Sequence, residues 1–145
     1  MALLLLGSIV AWVMARFAMP ASEVVDIGQL SEYPPSEQPY EVHNPVHVFV
    51  VNDGGQLIVL DPLNRVPGGY LVRWNSREGY FIDPNRGSWF DLLGRPVPHP
   101  LIGGSVERQG LPRYPVTIKG DRLLVEVSRR VIPTIRSGVQ PSRSP

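Results

Sequence analysis

Tyr80-Phe81-Ile82-Asp83-Pro84-Asn85-Arg86-Gly87-Ser88-Trp89-Phe90-Asp91 is the stretch on which the fold turns. Two short aromatic runs flank a tight polar turn. Aromatic and β-branched residues suit strands. Between the runs, Pro84 fixes φ, Gly87 permits positive φ or close backbone approach, and Ser88 can hydrogen-bond to backbone. Upstream, Arg65-Val66-Pro67-Gly68-Gly69-Tyr70-Leu71-Val72-Arg73-Trp74 has the same layout. A glycine-bearing loop runs into a short strand, Tyr70 to Trp74. Asn75-Ser76-Arg77-Glu78-Gly79 then turns the chain back into Tyr80-Phe81-Ile82. The pattern predicts two short strands joined by a turn, each next to a glycine-bearing loop.

The same reading extends outward. Val46-His47-Val48-Phe49-Val50-Val51 predicts a strand, and Asn52-Asp53-Gly54-Gly55 a tight turn. Gln56-Leu57-Ile58-Val59-Leu60 returns as a second strand, and Asp61 to Asn64 turns again. Leu92 to Pro96 reads as a loop. Val116-Thr117-Ile118, Lys119-Gly120-Asp121 and Arg122 to Val127 read as a closing hairpin. Short strands separated by turns indicate a mainly β protein, an antiparallel β-sandwich or barrel. Composition agrees: 16 prolines and 14 glycines in 145 residues disfavour a helical bundle. At 43% apolar and 19% charged, the chain is globular in type. A net charge of +1 gives no footprint for nucleic acid. With no cysteine, disulfides and thiolate metal sites are excluded.

Both ends differ from the middle. Residues 1–20 are almost wholly apolar, with Arg16 near the end and Pro20 as a stop. Eighteen helical residues span roughly 27 Å, against a hydrocarbon core of ~30 Å. This predicts one transmembrane helix and hence a lipid bilayer as partner. A secretory signal lacks its basic n-region and a clean small-x-small site. A buried core helix is the other alternative. Residues 21–44 are polar and acidic, with Pro34, Pro35 and Pro39; they read as a Pro-rich linker or as a loop packed on the domain. Residues 45–130 hold the β-domain. Residues 131–145 are polar and basic, a tail that orders against a partner or packs on its own chain.

The two loops, in this order and with these strands between them, resemble the cluster-binding loops of Rieske [2Fe–2S] domains. The resemblance runs from about Pro45 to Val127. It includes Asp91-Leu92-Leu93-Gly94-Arg95-Pro96-Val97, Pro98-x-Pro100-Leu101 and the Lys119 to Leu123 turn. In that family the first loop reads Cys-x-His-x-Gly-Cys and the second Cys-Pro-x-His-Gly-Ser. Carried over, the ligand positions fall on Arg65, Pro67, Asp83 and Arg86. The positions of the disulfide that joins the loops in many members fall on Tyr70 and Asn85. All six are substituted. Rieske chemistry takes two thiolates on one iron and two imidazoles on the other. The resemblance therefore implies a degenerate member without its cluster, and no cofactor is expected.

Arg65, Asp83 and Arg86 remain as possible loop contacts. One reading places the Asp83 carboxylate between two guanidiniums, tying the loops; the other leaves all three solvated. Other chemistry is thinly supported. His43 and His47 share a face, but the sequence places no third metal ligand beside them. His99, between prolines, reads as a loop residue. Ser88 lacks the Gly-x-Ser-x-Gly frame of a nucleophile elbow, and Gly103-Gly104 lacks the Lys-Ser/Thr of a phosphate loop. Trp74, Tyr80, Phe81, Trp89 and Phe90 read as core or interface. No enzyme activity is expected.

Together these readings predict a non-redox structural or accessory subunit of a membrane-bound respiratory or photosynthetic electron-transfer complex. Its partners would be the other subunits. By resemblance, the protein would be single-pass with its soluble domain extracytoplasmic. The alternative is a membrane-anchored binding module whose former cluster loops hold an anion or a partner peptide.

Overall fold

Eleven strands in three sheets build the domain in the computed structural model, which describes residues 21–104 and 106–134. The strands are β1 (Val24–Gln29), β2 (Tyr40–Val42), β3 (Val48–Asp53), β4 (Gln56–Leu60), β5 (Arg73–Asn75) and β6 (Tyr80–Ile82). They continue as β7 (Trp89–Phe90), β8 (Pro96–Val97), β9 (Arg113–Tyr114), β10 (Val116–Lys119) and β11 (Arg122–Glu126). The sheets run β1-β11-β10, β2-β3-β4-β9 and β5-β6-β7-β8, and every pairing is antiparallel.

The apolar run in β3 explains the layering. Val48 to Val51 are all buried, which a strand covered on only one face does not need. Side chains alternate across a strand, so Phe49 and Val51 enter one core while Val48 and Val50 enter another. Register carries the split into β4: Phe49 lies opposite Leu60, Val50 opposite Val59 and Val51 opposite Ile58. The first core adds Val72, Phe81, Phe90 and Leu111. The second adds Ile27, Tyr33, Leu123 and Val125. The middle sheet thus has the loop-bearing sheet on one face and the β1-β11-β10 sheet on the other.

Two boundaries differ from the sequence reading. Residues 21–44 are no linker: β1 pairs with β11 and β2 with β3. Ile27 and Tyr33 are buried, and the Tyr33 hydroxyl donates to the Ile27 carbonyl at 2.5 Å. The prolines constrain the backbone between these strands without freeing it. At the other end, Val131 bridges Arg113 and Thr134 bridges Gln109, so the first residues of the expected tail pack on their own chain. The strand expected from Tyr70 begins instead at Arg73, because Tyr70 and Val72 are tied to Asn64 and Pro62 by backbone hydrogen bonds. The transmembrane reading of residues 1–20 and the rest of the tail lie outside the described residues. Among those described, no helix is long and apolar enough to cross a membrane.

Candidate functional site: the paired loops

The β4–β5 loop and the β6–β7 turn meet at one end of the loop-bearing sheet. The turn takes the positive φ its sequence predicts at Gly87, but the Ser88 hydroxyl expected to bond backbone donates to the Glu107 carboxylate instead. The Gly87 N–H donates to the Asp83 carbonyl at 2.8 Å, the Asp83 N–H donates to the Ser88 carbonyl at 2.9 Å, and Gly87 has φ +69°. In the other loop the Gly69 N–H donates to Val66 at 2.8 Å and the Asn64 N–H to Tyr70 at 3.0 Å. A Cβ on Gly69 would collide with the Asn64 carbonyl, so this loop admits only glycine there without moving its backbone.

Asp83 is fully buried where the loops touch. Its Oδ2 accepts from Asn64 Nδ2 at 2.8 Å and from the Tyr70 N–H at 3.0 Å. Its Oδ1 accepts from the N–H groups of Asn85 at 2.8 Å and Arg86 at 3.2 Å. Burial pushes the carboxyl's pKa up. The bonds from Asn64, Tyr70, Arg86 and Asn85 overcome that and hold it below the usual carboxylate value. Two further bonds cross between the loops: Asn85 Nδ2 to the Gly68 carbonyl at 2.6 Å, and Arg86 Nη1 to the Pro67 carbonyl at 2.8 Å.

The carboxylate-between-guanidiniums reading is therefore corrected. Asp83 does tie the loops, but with backbone amides and Asn64 as donors. Arg65 turns instead to the buried Asp61, with Nε at 3.0 Å and Nη2 at 2.8 Å from Oδ2. Arg86 donates through Nε to Glu107 Oε1 at 2.7 Å. Nor is the solvated reading right, since Asp83 has no exposure. Asn64 and Glu107 are the site residues the sequence did not reveal. Glu107 also accepts from the Ser88 hydroxyl at 2.6 Å. Burial raises its pKa, while Ser88 and Arg86 lower it further, and the net shift is downward.

Beside the turn lies a groove of about 630 Å³, whose lining includes Pro67, Arg86, Trp89, His99, Ile102 and Glu107. The His99 ring sits edge-on to Trp89 at 4.6 Å. Ile102, in that lining, and its neighbour Leu101 are 82% and 85% exposed. Large apolar side chains this exposed and adjacent suit a contact surface.

A [2Fe–2S] cluster does not fit these loops. The positions that the resemblance assigns to ligands, Arg65, Pro67, Asp83 and Arg86, present two guanidinium side chains, a proline and a carboxylate. Both oxygens of that carboxylate are already committed to protein donors. The chain contains no thiolate to replace them.

No family model and no curated protein matches the chain. Solved structures do. The plasma membrane Rieske protein PetC3 from the cyanobacterium Synechocystis PCC 6803 is 25% identical. It covers 71% of this chain and 99% of its own length, with a TM-score of 0.50. The ferredoxin of carbazole 1,9a-dioxygenase from Nocardioides aromaticivorans IC177 is 22% identical, covering 72% of this chain and 97% of its own, with a TM-score of 0.42. A chain of a hyperthermophilic respiratory Complex III is 18% identical, covering 84% of this chain and 94% of its own, with a TM-score of 0.45. The likeness to PetC3 supports a Rieske-like fold for this chain.

Proposed function

We propose that this chain is a Rieske-like domain working by association, as a non-redox accessory subunit of a membrane-bound electron-transfer complex. The observation that carries this reading is the closure of the two loops on Asp83. Protein donors fill the space between loops that hold a cluster in Rieske proteins, and the loop geometry is kept by hydrogen bonding alone. A fold retained without its redox centre retains its surfaces. Leu101, Ile102 and the groove beside Arg86 and Glu107 are the surface this reading assigns to a partner subunit. The likeness to a plasma membrane Rieske protein favours a membrane setting.

In the same reading, residues 1–20 are a single-pass anchor and the domain lies on the extracytoplasmic side. Carbonate washing of membranes is expected to leave the full-length chain in the pellet. Recovery of intact chain in the supernatant would contradict an integral anchor.

The binding-module alternative is less well supported in its anion form. Arg65 is held by Asp61 and Arg86 by Glu107 and the Pro67 carbonyl, so an anion must displace protein partners at either one. The decisive experiment is co-purification in mild detergent. Leu101→Asp and Ile102→Asp disturb no buried contact, so thermal stability should hold. Recovery of partner subunits should fall by about tenfold, the equivalent of roughly 1.4 kcal/mol. Undiminished recovery with both variants removes this surface from the interface.

A further inference from the structure

We propose that Glu41, His43 and His47 form a divalent transition-metal site, with zinc as the fitting ion, at the β2–β3 hairpin. The proposal stands apart from the paired loops and from the association role argued above.

The hairpin's register creates the cluster. Tyr40 lies opposite Val50, Glu41 opposite Phe49 and Val42 opposite Val48. Continued by one position, that register sets His43 against His47 across the turn Asn44-Pro45-Val46. Residues directly opposed on antiparallel strands have Cβ atoms about 4.5–5.5 Å apart. Glu41 is two residues before His43 and so shares its face. The side chains follow the backbone. The two imidazoles stack at 4.6 Å with their planes 24° apart. The Nε2 atoms of both rings approach one carboxylate oxygen, Glu41 Oε1, His47 at 2.9 Å and His43 at 3.6 Å. One ligand atom from each residue lies within 4.8 Å of the others.

This donor set is the one zinc uses. Two imidazoles and a carboxylate at about 2.0–2.2 Å, with a fourth position left open, match a three-ligand zinc site. Tetrahedral bonding at that length puts nitrogens roughly 3.3 Å apart. The ligand atoms therefore have to draw in by at most about 1.5 Å from the 4.8 Å limit. The side chains of His43 and Glu41 are 64% and 47% exposed and free to do so. His47 is more enclosed, with Phe49 beneath it at 5.9 Å, and gives the site a fixed floor. Without a metal, Glu41 serves as acceptor for one imidazole. With one, all three groups turn their lone pairs on the same point. The open position is available to water or to a donor from a partner subunit.

The test uses full-length chain purified without a histidine tag, stripped with chelator and titrated with zinc in mild detergent. One zinc per chain is expected. His43→Ala, His47→Ala and Glu41→Gln are each expected to weaken binding at least tenfold, no less than loss of an outer-shell partner does. His99→Ala, which removes the one histidine outside the cluster, should leave binding unchanged. Cobalt added in place of zinc should give the visible absorption of a tetrahedral site, absent in the His43→Ala and His47→Ala variants. Unchanged circular dichroism of the variants separates ligand loss from misfolding. Sub-stoichiometric zinc in the wild type, or equal binding by the cluster variants, overturns the site.

Discussion

Asp83→Ala is expected to destabilise the full-length chain by about 3 kcal/mol, more than alanine at Arg86. The substitution strands Asn64 Nδ2 and the amides of Tyr70, Asn85 and Arg86 at once. Each buried donor left without an acceptor costs about 1–3 kcal/mol. Asn64 has 2% exposure and cannot turn to water. Its Oδ1 already lacks a partner, so the amide has no reserve bond. The two amides from the turn lie nearer the surface and regain part of their loss from solvent. Arg86 is 40% exposed and its pair with Glu107 is screened, so Arg86→Ala should cost only about 1 kcal/mol. Acid provides a second check. The folded pKa of Asp83 lies below its unfolded value, so its contribution is complete above the unfolded value, about 4. The contribution fades as pH falls through that value toward the folded one. Urea midpoints should therefore separate wild type from Asp83→Ala more widely at pH 7 than at pH 3. A gap below 1 kcal/mol at neutral pH, or one that widens in acid, contradicts the role given to this carboxylate.

The strands most legible in the sequence were those whose own side chains decide them. β4 and β6 fall where Gln56–Leu60 and Tyr80–Ile82 predict. β3 slides two residues later than its apolar run. Val46 belongs to the turn with Asn44 and Pro45, and His47 leads out of it ahead of the strand, while Asn52 and Asp53 still pair with Leu57 and Gln56. β1 was invisible because only Val25 and Ile27 alternate inward before Gly28 and a register shift between Asp26 and Gln29 cut the pattern short; its strand character comes from β11, almost a hundred residues away. The site shows the same division. Pro84, Gly87 and Ser88 announce the turn, and Asp83 stands out beside them. Its partners do not, since three are backbone amides with no side-chain signature and the fourth, Asn64, lies 19 residues upstream. Glu107 reaches the turn from a loop that carries no motif. Beside His43 and His47 the sequence offers Glu41 and Asp53 as nearby acids but places neither. Glu41 joins them only once the hairpin register is known.

A chain starting at Pro45, the boundary its sequence suggests, is expected not to fold, whereas one starting at Ala21 should melt cooperatively. Removing residues 21–44 deletes β1 and β2 together with the turn between them. The second core loses Ile27 and Tyr33, both buried, and the partly buried Val25, Leu30, Tyr40 and Val42. A fully buried apolar side chain contributes about 1.5–3 kcal/mol. Two such residues with four half-buried ones reach roughly 6 kcal/mol or more, comparable with the 5–15 kcal/mol that holds a whole domain. The damage does not stop at lost area. Val48, Val50, Leu123 and Val125, all buried, lose their cover. β3 and β11 both become unpaired edges, which invites association between copies. The first core, under the paired loops, keeps its own side chains, so local order around Trp74 and Trp89 is the most that can persist. Near-ultraviolet circular dichroism and a thermal melt of the two truncated chains decide the matter. A cooperative transition in the Pro45 version, within a few degrees of the longer one, would return residues 21–44 to the status of a linker. Loss of that transition fixes the start of the domain at β1.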